Sequence, residues 1–91
     1  MEYNIVHNEG QNRFETEVEG QLALVDYIRR GNVLWVTHTG VPRPLEGRGI
    51  AAALTKTLLD YARENHYKIH PLCSYTRAYI LRNKEYQDLI E

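Results

Sequence analysis

The chain has 91 residues, 43% of them hydrophobic and 25% charged, with 11 Lys+Arg against 12 Asp+Glu for a formal net charge of -1. That length predicts one small domain over residues 1–91 and leaves no room for a second. The balanced charge excludes a disordered chain, and it excludes the basic footprint of a nucleic-acid binder or a membrane-surface protein. Turn residues then punctuate the first half at 8–12, 19–21 and 30–32, and residues 3–7, 13–19, 22–29 and 33–39 read as strands. In the second of these, Phe14, Thr16 and Val18 alternate with Glu15, Glu17 and Glu19, the pattern of a half-buried strand with a solvated acidic face. Gly31-Asn32 predicts a tight hairpin.

The period changes in the second half. Ile50, Ala53, Leu54, Thr57, Leu58, Tyr61 and Ala62 recur at helical spacing, with Lys56, Asp60, Arg63 and Glu64 on the other face. Asn65 is expected to end this helix as a left-handed cap. Residues 67–72 read as a short strand ending near Pro71, Ser74 as the N-cap of a helix over 75–83, and Tyr86, Leu89 and Ile90 as a last amphipathic turn. Strand–helix–strand predicts a parallel crossover pair. The expected fold is α+β, a mixed and mostly antiparallel sheet packed by one long helix and a C-terminal helix.

Cys73 is the single cysteine, which excludes an intrachain disulfide framework and a cysteine-rich zinc module. His66, His70 and Cys73 invite a metal reading, but strand geometry and the want of a fourth ligand argue against one. A single thiol fits a reducing compartment. The first residues are polar and acidic with no signal-like segment, and no apolar run approaches the ~20 residues of a membrane span. The expected location is the cytoplasm.

The most informative stretch is Val41-Pro42-Arg43-Pro44-Leu45-Glu46-Gly47-Arg48-Gly49-Ile50-Ala51. It leaves a strand and enters the long helix through Gly-x-Gly. Glycines let backbone N–H groups approach a ligand, and a helix N-terminus offers unpaired N–H groups at its positive end. A pyrophosphate cradle and plain helix packing both account for the pattern. No Gly-Lys-Ser/Thr follows, so it is not a Walker loop, and the preceding antiparallel-type strands do not suit a dinucleotide fingerprint.

This stretch resembles the acetyl-coenzyme A loop of the GNAT N-acetyltransferase superfamily, Arg/Gln-x-x-Gly-x-Gly/Ala. Gly49 and Ala51 fill its last two slots, while Glu46 stands where the family has Arg or Gln. The chain is also similar to a subgroup of very small members, through Thr37-His38-Thr39-Gly40-Val41-Pro42, Pro71-Leu72-Cys73-Ser74-Tyr75 and Glu85-Tyr86-Gln87-Asp88-Leu89. The resemblance implies acetyl-CoA as co-substrate, an amine acceptor of unknown identity, and direct attack on the thioester. It implies pyrophosphate contacts from Gly47, Arg48, Gly49, Ile50, Ala51 and Ala52, and a pantetheine contact at Val41. The usual Tyr acid aligns with Arg82, leaving Tyr75 and Tyr79 as alternatives for acid, cofactor stacking or packing.

Two further side chains carry candidate chemistry. Cys73 follows the strand expected beside the pantetheine arm and is a proton donor to the leaving sulfur, a nucleophile, or a small buried residue. His38 ends the fourth strand beside the expected thioester, as a general base or a structural hydrogen-bonding group. The runner-up function is a coenzyme A or acyl-coenzyme A binding module with little turnover. Only turns separate the early strands, where larger relatives build the acceptor pocket, and a homodimer is one way to complete it.

Overall fold

A computed structural model describes residues 3–91. Five strands form one sheet in the order β1-β2-β3-β4-β5: β1 Val6–Asn8, β2 Arg13–Val18, β3 Gln21–Arg30, β4 Val33–Gly40 and β5 Lys68–Pro71. The first four pair antiparallel and β5 lies parallel to β4, with helix α1 Ile50–Glu64 between them in sequence. Helix α2 Ser74–Arg82 and a 3-10 segment Lys84–Leu89 follow. No helix among the described residues is long and apolar enough to cross a membrane. The mixed five-stranded sheet with two helices is the α+β architecture expected.

Alternation builds the core. Phe14 and Thr16 from β2, Ala23, Val25 and Tyr27 from β3, Leu34 and Val36 from β4, and Ile69 from β5 are buried against Ile50, Leu54, Leu58 and Ala62 of α1. Leu22 and Ile28 point the other way and stay exposed, since no helix covers that face. The hairpin turns follow local backbone rules. Glu19 and Gly20 both take positive φ (53° and 76°), as a two-residue I′-type turn demands. Gly31, at φ 62°, opens the expected Gly31-Asn32 hairpin.

Beyond one-residue shifts at several strand and helix ends, four features differ from the sequence reading. Strand β1 begins at Val6 rather than residue 3, because the Thr16 hydroxyl takes the Asn4 carbonyl (2.9 Å) in place of a ladder amide. Asn65 is not the left-handed residue; His66 is, at φ 60°. The Tyr67 amide reaches back to Ala62 O (2.8 Å) and the His66 amide to Arg63 O (3.3 Å), the paired bonds of a Schellman ending. Ser74 is the first helical residue of α2, and Cys73 holds the cap position with extended φ/ψ. Tyr86 and Leu89 are buried as expected, but Ile90 is 41% exposed and bridges the free edge of β5 at Ile69.

The sheet's β1 end holds a half-buried histidine. His7 stacks on Phe14 with ring centroids 4.1 Å apart, and its Nε2 lies 2.7 Å from the Tyr27 hydroxyl. Burial lowers the His7 pKa, with Glu9 opposing weakly. Burial is also the main force that pushes Tyr27 up to about 12, so this hydroxyl stays protonated. A lowered histidine pKa favours the folded state above the unfolded value near 6.5, and that contribution is lost as pH falls through it. The urea midpoint is expected to fall between pH 7 and pH 5, and His7→Gln to flatten that slope. Parallel slopes for the two proteins would exclude His7 as the titrating group.

Candidate active site

The parting of β4 and β5 opens the site. Their pairing runs from Val33↔Lys68 to Val36↔Pro71 and stops. Pro71 has no N–H to continue a ladder. The amides of Leu72 and Cys73 instead both converge on Val36 O, at 3.0 Å each, and turn the chain into α2. Beyond Val36, β4 continues beside β3 alone as far as Gly40.

A β-bulge sets which side chains face this gap. Asp26 pairs with His38 and Tyr27 with Val36, so Thr37 is an extra residue in β4. Simple alternation from the inward Val36 would turn His38 toward the helices. The bulge shifts the phase by one residue, so Thr39 faces inward and His38 outward.

A cleft of about 580 Å³ lies between the end of β4 and the start of α1. Thr39, Gly40 and Val41 form one wall, Gly47, Gly49, Ile50, Ala51 and Ala52 another, and Tyr75 closes it from α2. Leu45, fully buried, pins the connecting loop into the core. Gly47 and Gly49 sit at φ 83° and 77°, and a Cβ at either would meet no atom within 4 Å. Backbone conformation, not crowding, selects glycine there. The first bond of α1 runs from Ala53 N to Gly49 O (3.0 Å), and no side chain caps the helix. The amides of Ile50, Ala51 and Ala52 therefore lack intrahelical partners and stand at the positive end of the helix dipole. Such a group of donors on a cleft wall fits an anion, the class to which a pyrophosphate belongs.

The structure brings Val41, Gly47, Gly49, Ile50, Ala51, Ala52 and Tyr75 to one cleft. Glu46 also lines it, on the exposed loop. Three expected residues are placed elsewhere. Arg48 is turned out of the cleft: its Nη1 donates to Glu19 Oε2 (2.7 Å) at the β2–β3 turn, and its carbonyl accepts the Tyr3 hydroxyl (2.6 Å). Tyr79 lies between Tyr75 and Tyr86, with centroids 6.4 and 6.2 Å away, and packs against the core instead of the cleft. His38 faces a second groove of about 460 Å³ on the opposite side of the sheet, with Leu24, Asp26 and Pro42. The two concavities share Gly40 and Val41. A Cβ on Gly40 would stand 3.1 Å from His38 Nε2, so glycine keeps this junction thin.

Cys73 sits behind the cleft wall. Its Sγ is 3.5 Å from Thr39 Oγ1. Burial raises the thiol pKa, but the Thr39 hydroxyl, the amides of Thr76 and Tyr75 and the Thr76 hydroxyl together outweigh it, and the pKa is lowered overall. Those amides face the sulfur as dipoles without closing a cap hydrogen bond. The sequence reading named Thr39 only within a motif and gave neither it nor Thr76 a role. Only the Thr-His-Thr run beside the loop could have flagged Thr39, and nothing flagged Thr76. Tyr75 has its pKa raised by burial and keeps its proton at neutral pH.

A model of the GCN5-related N-acetyltransferase family matches residues 13–89. The chain belongs to this family. Protein NATD1 from Mus musculus is 30% identical over 83 residues, covering 87% of this chain and 74% of that protein. Protein NATD1 from Homo sapiens matches equally, with 73% of its length covered. A GCN5-like protein from Staphylococcus aureus, solved in solution by NMR, superposes with a TM-score of 0.77 at 30% identity, covering 98% of this chain and 88% of that one. The mixed five-stranded sheet with two helices is thus the GNAT-like fold of that neighbour.

The thiol environment makes a measurable claim. Iodoacetamide alkylation of Cys73 is expected to reach half its maximal rate at a lower pH than a model thiol, because the thiolate is the reacting species. Thr39→Val should move that midpoint upward. A midpoint at or above that of a model thiol would show that burial wins.

Proposed function

We propose that this chain, as a single domain over residues 1–91 and a member of the small subgroup carrying Pro71-Leu72-Cys73, acetylates an amine in the cytoplasm with acetyl-CoA as co-substrate. The observation that carries this reading is the row of unpaired amides at Ile50, Ala51 and Ala52 on one cleft wall, with Thr39 on the facing wall and Cys73 behind it. The bound thioester supplies the activated acetyl group. The amides hold the pyrophosphate, and Val41 and Thr39 border the pantetheine arm. The amine arrives from the second groove and meets the acetyl carbon at the Gly40–Val41 junction. His38, on that groove, takes the ammonium proton directly or through water. Nitrogen–carbon bond formation leaves a cationic nitrogen that loses its second proton to water, and carbon–sulfur cleavage leaves a thiolate, which takes its proton from Cys73; water later returns a proton to Cys73. The hydroxyl of Thr39 stabilises the Cys73 thiolate that results.

A second reading is binding with little turnover. It is supported by the direct connections of β2 to β3 and β3 to β4 through two-residue turns at 19–20 and 31–32, which supply no helix to cover the sheet face that carries the second groove. Turnover with an amine acceptor separates the two.

Acetyl-CoA is expected to bind in titration calorimetry, and Gly49→Asp to weaken it at least tenfold, about 1.4 kcal/mol. Gly49→Asn, which also tolerates the left-handed backbone, should weaken it less, because it adds bulk without charge. Equal affinities for the Asp variant and wild type would remove the pyrophosphate from this helix end. Glu46→Gln should tighten binding modestly, more so at low salt.

Cys73→Ala should slow turnover by up to ~10²–10⁴-fold if the thiol donates the proton. Acetyl-CoA alone should leave no acetyl group on the protein by intact-mass measurement. An acetylated Cys73 that decays on adding an amine would replace direct attack with a covalent mechanism.

A further inference from the structure

We propose that Cys73 is a reversible modification site that exchanges with coenzyme A disulfide, forming a mixed disulfide that occupies and closes the cleft. The proposal rests on the reading that the cleft holds coenzyme A. Three features of the chain lead to it. First, Cys73 stands directly behind the cleft wall formed by Thr39. The phosphate-type donors stand on α1, and Thr39 on the facing wall lies 3.5 Å from Sγ. Second, the sulfur sits at the cap of a nine-residue helix whose first backbone bond is Arg77 N to Cys73 O, so the amides of Ser74, Tyr75 and Thr76 have no intrahelical partner. Third, the Thr76 hydroxyl is 0% exposed, has no hydrogen-bond partner, and acts on the same sulfur. A buried hydroxyl without an acceptor is costly, and a negative sulfur supplies one. These groups favour a thiolate beside a bound thiol ligand.

The chemistry is balanced without any further oxidant. Cys73 releases its proton, and its thiolate attacks the nearer sulfur of the bound coenzyme A disulfide. A sulfur–sulfur bond forms to Cys73 as the original one breaks. The second coenzyme A leaves as a thiolate and takes up a proton. The Cys73 sulfur is oxidised and the departing sulfur reduced. No second cysteine exists in the chain to resolve the product, so the mixed disulfide persists until an outside thiol reduces it. While it lasts, acetyl-CoA cannot enter. A disulfide held by the α1 amides reacts as an effectively intramolecular partner, which separates it from small disulfides that arrive by collision.

The test uses reduced full-length protein, coenzyme A disulfide, and glutathione disulfide as the non-docking control, read by intact mass over time. One coenzyme A adduct per chain is expected on Cys73, reversed by dithiothreitol and absent in Cys73→Ser. Its rate should saturate with concentration and exceed that of glutathione disulfide at least tenfold. Desulfo-coenzyme A should suppress the coenzyme A reaction and leave the glutathione reaction unchanged. If acetyl-CoA binds by calorimetry but Cys73 gains no coenzyme A, or gains it no faster than glutathione, the modification is refuted and the cofactor reading stands. If acetyl-CoA gives no binding and both disulfides react alike without saturation, the cofactor reading falls and the proposal with it.

Discussion

After Val36, strand β4 has a neighbour on one side only, and the site depends on that. A central strand ordinarily satisfies its backbone groups on both edges. Here one edge is released because Pro71 cannot donate and because Val36 O takes the next two amides of the departing chain. The strand therefore keeps the rigidity of its β3 pairing while presenting Thr39, Gly40 and Val41 to a cleft. The same crossing of Leu72 and Cys73 over Val36 starts α2 at the mouth of that gap. One local hydrogen-bond arrangement thus opens the sheet, positions the thiol and sets the entry of the last helix.

The bulge at Thr37 is the second half of this arrangement. It turns Thr39 to the cleft and His38 to the opposite groove. Two faces of one strand end thus line two different concavities, separated by the thickness of the backbone at Gly40. The Arg48–Glu19 pair works at a distance from this chemistry. Both partners are exposed, so the pair adds little stability by itself. It does tie the β2–β3 turn to the loop, and the Tyr3 hydroxyl on the Arg48 carbonyl ties the first described residue to the same point.

Small size shapes the energetics. Among the described residues the core cluster is completed by residues from every layer, including Leu45 in the loop and Tyr86 and Leu89 in the 3-10 segment. The loop that forms the cleft wall is thereby anchored by the same packing that stabilises the fold. The uncovered face of the sheet is the cost of that economy: Leu22 and Ile28 remain exposed where a larger domain would place helices.

The sequence by itself determined the elements whose signals are local. Alternation placed Phe14 and Thr16 inside, the 3.6-residue period drew α1, Gly31-Asn32 marked a hairpin, and Gly-x-Gly before Ile50 marked the helix entry with its free amides. These follow from steric and periodic rules acting within a few residues. What the tertiary structure decided involves partners distant in the chain. Arg48 left the cleft because Glu19, 29 residues earlier, claimed its guanidinium. His38 changed face because an extra residue in β4 is defined only against β3. Asn65 yielded the left-handed position to His66 because the closing amides belong to His66 and Tyr67 and must reach Arg63 and Ala62. Thr39 and Thr76 became part of the thiol's surroundings only when β4 and α2 met there, since no periodicity joins residues 37 positions apart.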